Sequence, residues 1–233
     1  MMSHMTQRVS MQCCELAHTE AVEDCLRAIF KLSGHSEKPT TTALADYLSV
    51  APPTVSAMLK RLETGGLITR ALGHAELTEH GARHALGVTR RHRLMEAFLA
   101  QVLEMPWDRV HTEADALEHA ISHELEDRLD AFLGHPTHDP HGDPIPPATG
   151  QHVETWATPL AAAEPGSRFR VERVSDRDSD ALRYLTDLGI RPGAVLEMIE
   201  QAPFDGPLWV RVEGRRHALG PVLVQAVHGR GDS

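Results

Sequence analysis

Asp115, Glu118 and His119 stand at i, i+3 and i+4, so on a helix their side chains leave one side of a single turn. Two carboxylates and an imidazole at that spacing can chelate a divalent cation. The stretch around them, VHTEADALEHAISHELEDRL (residues 110–129), reads as part of one helix over residues 107–133. At about 100° per residue, Ala114, Leu117, Ile121, Leu125 and Phe132 form a core-facing stripe, and Glu118 falls well inside the same arc. A carboxylate buried there needs a cation or several donors. Asp24, on an earlier helix, adds a third acid if the two helices pack. Three carboxylates and one imidazole, with no thiolate, make a hard set suited to Mn2+ or Fe2+ rather than structural zinc. No H-E-x-x-H, nucleophile elbow or phosphate loop accompanies them, so the sequence reads as a non-enzyme without a small-molecule substrate.

Other histidines and the cysteines weigh less. Cys25 adjoins Asp24 but fits the apolar face of its helix, as a core cysteine. His123 points away from the stripe and reads as solvated. His135, His138 and His141, in a proline- and glycine-rich stretch over residues 134–150, offer no specific site, only adventitious metal binding.

The elements that must position these groups are legible in order. TEAVEDCLRAIFKLS is an N-terminal helix with Ala21, Cys25, Ala28, Ile29 and Leu32 on its apolar side. A short helix follows, capped by Thr41 or Thr42, with Ala43, Leu44, Tyr47 and Leu48 apolar. Ser49, Val50 and Ala51 form a turn, and Pro52 and Pro53 open a second helix, where a missing N–H is harmless. Val55, Met58, Leu59 and Leu62 bury one of its faces. GGLITRALGHAELTEHG predicts a two-stranded wing, with Leu67 and Ile68 in one strand and residues 75–78 in the other. A winged helix-turn-helix lays its second helix in the DNA major groove, which makes Pro53, Thr54, Ser56, Ala57, Lys60, Arg61 and Arg70 candidate DNA-contacting residues, with Arg90, Arg91 and Arg93 as further phosphate contacts. A long helix over residues 79–103 holds His92 and Glu96 on one face, and with the helix that follows it predicts a dimerisation platform. Beyond the linker, residues 169–174, 195–200, 208–212, 217–219 and 222–227 read as five short strands, with a small helix in SDALRYLTDLGIRPG, suggesting an SH3-like β-barrel. The expected fold is mainly α with a small β part, divided into a winged-helix DNA-binding domain (1–80), a helical dimerisation and metal-binding domain with the Pro/Gly/His-rich linker (81–150), and an SH3-like domain (151–233).

Bulk properties agree once read locally. The formal net charge is −10, yet residues 1–93 hold 11 Lys/Arg against 9 Asp/Glu, while residues 94–140 hold 2 against 11. A cation in the middle block relieves repulsion that would drive DNA away from it. No run of apolar residues is long enough to span a membrane. The N-terminus lacks the apolar segment of a signal peptide. Three cysteines, Cys13 and Cys14 adjacent, give no disulfide framework, so a cytoplasmic protein is expected.

The order winged helix, RRHRLMEAFL, RVHTEADALEHAISHELEDRL, DPHGDPIP and a small β domain resembles the diphtheria toxin repressor family, which includes manganese-type regulators. The resemblance spans nearly the whole chain. It implies a metal-activated homodimer, a repressor of metal-homeostasis genes, that binds palindromic double-stranded operator DNA and holds two metal ions per chain, Mn2+ or alternatively Fe2+. Asp24, Asp115, Glu118 and His119 match the primary site. His92, Glu96 and His111 match the second, completed by an acid of the C-terminal (FeoA-like) domain; Asp178 is the first candidate, Asp176 and Asp180 its rivals. Acids at 24 and 115, where iron-type members place sulfur, are the manganese pattern, although Arg27 stands where the short manganese-type proteins carry a Glu. Ala57 replaces a Gln of iron-type recognition helices, so the operator sequence does not carry over. The alternative reading is a metal-independent winged-helix regulator or adaptor whose acidic cluster is structural.

Overall fold

In helix α1 (Glu20–Gly34), acids Glu20 and Glu23 sit in the first turn, where the helix dipole favours negative charge, and Lys31 in the last. The computed structural model describes residues 19–34, 38–149, 152, 157–204 and 206–232; Cys13 and Cys14 lie outside the described residues. The chain divides into two compact units. One comprises Met1–His92, Glu118–Ser122 and Ile145–Thr155, the other Arg93–Leu117, His123–Pro144 and Trp156–Ser233.

The first unit is built on the helix-turn-helix. Cys25, Leu26, Ile29 and Leu32 of α1 are buried with Leu44, Val55, Leu59, Leu62 and Leu67 in one apolar cluster. Helix α2 (Thr41–Leu48) is capped by Thr40, one residue earlier than the sequence reading placed the cap: Thr40 is extended and its Oγ1 accepts from Ala43 N at 3.1 Å. Ser49, left-handed at φ 53°, ends α2. Helix α3 (Pro52–Thr64) then starts on its two prolines without a side-chain cap. Strands β1 (Ile68–Ala71) and β2 (His74–Leu77) pair antiparallel as the wing. Leu72 and Gly73 turn the hairpin with φ of 51° and 82°, the pair of positive values that a tight two-residue turn requires. Thr78 joins the wing to helix α4 (Glu79–Val102): its hydroxyl donates to Gly66 O at 2.8 Å and accepts from Gly81 N at 3.0 Å.

Helix α4 gives its residues up to His92 to the first unit and the rest to the second. The single helix expected over residues 107–133 is instead three pieces: α5 (Trp107–Leu117), a 3-10 turn at Glu118–Ala120, and α6 (His123–Phe132). The break has a tertiary cause. Glu118 O accepts from Arg91 Nε at 3.1 Å, and the Glu118 and His119 side chains turn toward groups of α1 and α4 in the first unit. Of the expected stripe, Ala114 and Ile121 are buried, but Leu117, Leu125 and Phe132 are 42%, 43% and 69% exposed.

The second unit ends in a six-stranded antiparallel sheet, order β3-β8-β4-β5-β6-β7. Its strands are β3 (Thr158–Pro159), β4 (Arg168–Val174), β5 (Val195–Gln201), β6 (Leu208–Val212), β7 (Arg215–Leu219) and β8 (Val227–Gly231), with α7 (Ser179–Asp187) and α8 (Pro221–Ala226) between them. Residues 222–227, read from sequence as a strand, are mostly α8: Pro221 follows Gly220 and opens a helix, and strand pairing begins only at Val227. Phe169, Leu182, Leu185, Ile190, Leu196, Val210 and Leu219 fill the core of this domain. A helical N-terminal part with a wing and a small antiparallel β domain is the fold class the sequence predicted.

Candidate metal centres

On α3 the alternation of buried and exposed positions sorts the candidates cleanly. Val55, Leu59 and Leu62 are buried, whereas Pro53, Thr54, Ser56, Ala57, Lys60 and Arg61 are exposed, as is Arg70 on the wing. The three arginines of α4 do not join them. Arg90, Arg91 and Arg93 are buried, which removes them from any phosphate contact. Arg90 donates to Pro146 O at 2.7 Å, Arg91 to Glu23 at 3.3 Å, and Arg93 to Asp143 at 3.2 Å. Arg91 and Arg93 neutralise acids of the interior instead.

In the first unit Asp24, Glu118 and His119 converge, with one ligand atom from each lying within 4.8 Å of the others. Glu118 is wholly buried. Its Oε1 has no hydrogen bond, standing 3.6 Å from both Arg27 Nε and His119 Nε2. His119 turns Nε2 toward Asp24 Oδ1 at 3.1 Å, while Nδ1 donates to Glu23 Oε2 at 2.7 Å. Glu23 thereby fixes the ring with Nε2 facing the acids, the arrangement by which a carboxylate orients a ligating imidazole. Burial works to lower the His119 pKa, but the Glu23 hydrogen bond and the charges of Glu118 and Asp24 outweigh it and hold it above the ordinary imidazole value. Nδ1 of His92 lies 2.8 Å from Arg27 Nη1 and 2.5 Å from Glu118 Oε2. It can serve only one of them at a time, since the first contact needs its lone pair and the second its proton. Cys25 sits in the apolar core, and burial, reinforced by the Asp24 charge, pushes its thiol up to about 12, so it offers no thiolate.

The second unit holds another set built around Glu96. Glu96, Asp139 and His141 offer ligand atoms within 4.8 Å of one another, and so do Glu96, His111 and Asp176. His111 Nδ1 is 3.0 Å from Glu96 Oε1 and 3.3 Å from Asp176 Oδ2. His141 is fully buried: its Nε2 donates to Trp107 O at 2.8 Å, and the Trp107 ring stacks on it with centroids 5.6 Å apart. With Nε2 so engaged, Nδ1 faces the acids and has no hydrogen bond, and neither has Asp139 Oδ2. Burial lowers the His141 pKa, yet Glu96, followed by Asp139 and Asp176, raises it to about 10. Burial and the neighbouring Asp143 and Glu96 push Asp139 the other way from a normal acid, well above the carboxylate range. A buried carboxylate oxygen without a hydrogen bond, Asp139 Oδ2, beside an imidazole nitrogen whose ring is fixed from its other side suits a divalent cation.

Set against the sequence reading, the structure brings Asp24, Glu118 and His119 together, and Glu96 with His111. Asp115 belongs to the second unit, where it lies 3.6 Å from His111 Nε2. His92 turns its Nδ1 to the Glu118 side. Asp178 caps α7, accepting from Asp180 N and Ala181 N, and Asp180 pairs with Arg183; the acid beside His111 is Asp176. Glu23, Asp139 and His141 were not anticipated.

A winged helix-turn-helix accompanied by buried carboxylate–imidazole clusters defines a metal-responsive DNA-binding protein. Comparison with known proteins is specific. Residues 18–71 match the family described as iron dependent repressor, N-terminal DNA binding domain; residues 78–147 match its metal binding and dimerisation domain; residues 158–230 match the FeoA domain. The chain is 35% identical over 202 residues to the iron-dependent repressor IdeR of Mycobacterium tuberculosis, covering 80% of this chain and 86% of that protein. It is 28% identical over 211 residues to the diphtheria toxin repressor of Corynebacterium diphtheriae, covering 84% and 90%. A solved manganese-dependent transcriptional repressor in complex with manganese superposes with a TM-score of 0.86 at 38% identity, covering 91% of this chain and all of that one. The chain belongs to the diphtheria toxin repressor family of metal-dependent transcriptional repressors, which are not enzymes. Among the described residues no helix is long and apolar enough to cross a membrane.

Proposed function

We propose that this chain is a manganese-activated, homodimeric repressor acting in the cytoplasm on palindromic operator DNA, with two metal sites per chain. The observation that carries the reading is the convergence of Asp24 from α1 with Glu118 and His119 from the turn before α6. The family resemblance adds Asp115 to this set. Oxygen donors at 24 and 115 favour a hard ion, Mn2+ over Fe2+. The second set is Glu96, His111 and Asp176 with Asp139 and His141, all on the second unit.

A divalent cation at the primary set supplies positive charge to buried acids and joins α1 to the 118–120 turn. The residues do the rest. Glu23 holds His119 with Nε2 toward Asp24. Arg91 holds Glu23 and the Glu118 carbonyl. Arg27 offsets part of the Glu118 charge. Because α1 packs with α2 and α3 in one core, fixing Asp24 fixes the helix that carries Thr54, Ser56, Ala57, Lys60 and Arg61 toward DNA. In the metal-free chain, DNA binding bears the cost of that ordering. The exposed Leu103, Leu117, Leu125 and Phe132 of the second unit supply apolar surface for the dimer. The test is operator binding by Asp24→Ala: a folded dimer that no longer gains DNA affinity from Mn2+ supports the assignment, and unchanged metal-dependent binding overturns it.

A further inference from the structure

The wing ends in a turn whose first residue does not suit its geometry. Ala71 pairs with His74, so Leu72 and Gly73 alone make the turn, with φ of 51° and 82°. Positive φ at both central residues favours Asn-Gly or Asp-Gly, because a bulky side chain is disfavoured in the left-handed region. Leu72 offsets that strain with no packing inside the fold: it is 95% exposed. A strained backbone under an apolar side chain that stands wholly in water points to a contact made outside the chain. On the operator-binding reading, we propose that Leu72 is a DNA-contacting residue, carried by the wing into the minor groove while α3 occupies the major groove.

The tip has the shape for this. Ile68 and Ala75 are 2% and 1% exposed, and at about 3.4 Å per residue Leu72 stands roughly 10–14 Å beyond them. Gly73 adds no side chain, so a single isobutyl group leads the hairpin. It fits a minor groove about 6 Å wide and 7.5 Å deep, which the two-stranded ribbon behind it does not. The composition agrees, since minor-groove binders combine cationic side chains with apolar ones that enter the groove. Arg70 is exposed two residues before Leu72, and the acid of the hairpin, Glu76, is engaged by His74 Nε2 at 3.0 Å. The wing is also fixed to the helix-turn-helix. Ala75 N donates to Pro39 O at 3.0 Å, just before α2. Just after α3, Thr78 N donates to Leu67 O at 3.0 Å and the Thr78 hydroxyl to Gly66 O at 2.8 Å. Seating α3 in the major groove therefore fixes where Leu72 stands as well.

The probe is a duplex selected from a random-sequence pool by the Mn2+-loaded full-length chain. Leu72→Gly tolerates the turn and removes the side chain, so its melting temperature and Mn2+ uptake should match those of the original chain. Its affinity for the duplex should fall at least about tenfold, the order set by one leucine no longer buried. The slope of affinity against salt should not change, because no phosphate contact is lost. Leu72→Met, which keeps an apolar tip, should retain most of the affinity. Exchanging guanine for inosine, or adenine for diaminopurine, removes or adds only a minor-groove amino group. At the base step that Leu72 enters, these exchanges should alter binding by the original chain and not by Leu72→Gly. Equal affinities of Leu72→Gly and the original chain, or the same response of both to every exchange, overturns the proposal. A pool from which the original chain selects no duplex refutes operator binding itself, and the wing contact with it.

Discussion

Replacing Glu23 isolates the orientation of His119 from the supply of ligands. Glu23 is 4% exposed and touches His119 Nδ1 at 2.7 Å and Arg91 at 3.3 Å, yet its carboxylate is not among the converging ligand atoms. Removing such a partner of a ligating imidazole costs about 10–100-fold in metal affinity, which is roughly 1.4–2.8 kcal/mol. Glu23→Ala should fall in that range. Glu23→Gln, which keeps an acceptor for Nδ1–H but not the charge, should lose less. The alanine variant also leaves the buried Arg91 without its carboxylate. Arg91 retains the Glu118 carbonyl at 3.1 Å, so the metal-free fold should lose only about 1–3 kcal/mol. Calorimetric Mn2+ titration gives the affinities, and thermal melts without metal give the stability term separately. A Glu23→Ala chain that melts lower but binds Mn2+ with unchanged affinity at the primary set would show that Glu23 is merely structural.

Three further outcomes follow from the geometry. Phe132→Asp combined with Leu103→Asp places charge on exposed apolar positions, so sedimentation should show a monomer with sharply weakened operator binding; a persistent dimer would move the interface elsewhere. Gly142, at φ +87°, has Glu172 O 1.9 Å from where a Cβ would stand; Gly142→Ala should destabilise the second unit by about 1–3 kcal/mol or more and remove the metal equivalent of the Glu96 set, read by melting and by Mn2+ stoichiometry. The His141 pKa, raised from 6.5 to about 10, lies above its unfolded value, so its contribution to the metal-free fold is complete below pH 6.5 and is lost as pH rises through about 10. Metal uptake at that nitrogen must expel the same proton, so calorimetry in buffers of different ionisation enthalpy should show proton release, absent in His141→Ala.

How far the sequence carried the account varied with the physics of each stretch. The helix-turn-helix was legible because prolines, turn residues and apolar spacing agree locally, and only the α2 cap shifted by one residue, to Thr40. Glu118 was legible because a carboxylate inside an apolar arc is costly. The break of the helix around it was not: apolar spacing runs on through Ile121 and Leu125, and the forces that bend the chain come from Arg91 and the acids of α1, far away in sequence. The same distance hid the fate of Arg90, Arg91 and Arg93, since charge alone does not say whether an arginine faces phosphate or a buried acid. Asp178 misled for a reason legible afterwards. An Asp immediately before a helix is an N-cap, and Asp176 was left to reach His111. His141 was hardest to see, because a proline- and glycine-rich segment reads as a linker whether or not its acids and imidazole are packed.

In the proposed function, divalent metal held by the Asp24, Glu118 and His119 set makes the DNA-binding unit competent. The most direct test is operator affinity at fixed salt, measured across a free Mn2+ titration and reversed with a chelator, with Glu118→Gln beside the original chain. Tight binding should appear with Mn2+, vanish with chelator and be lost in the variant. Tight binding indifferent to metal in both proteins would contradict it and leave the acidic cluster as a structural feature of a metal-blind regulator.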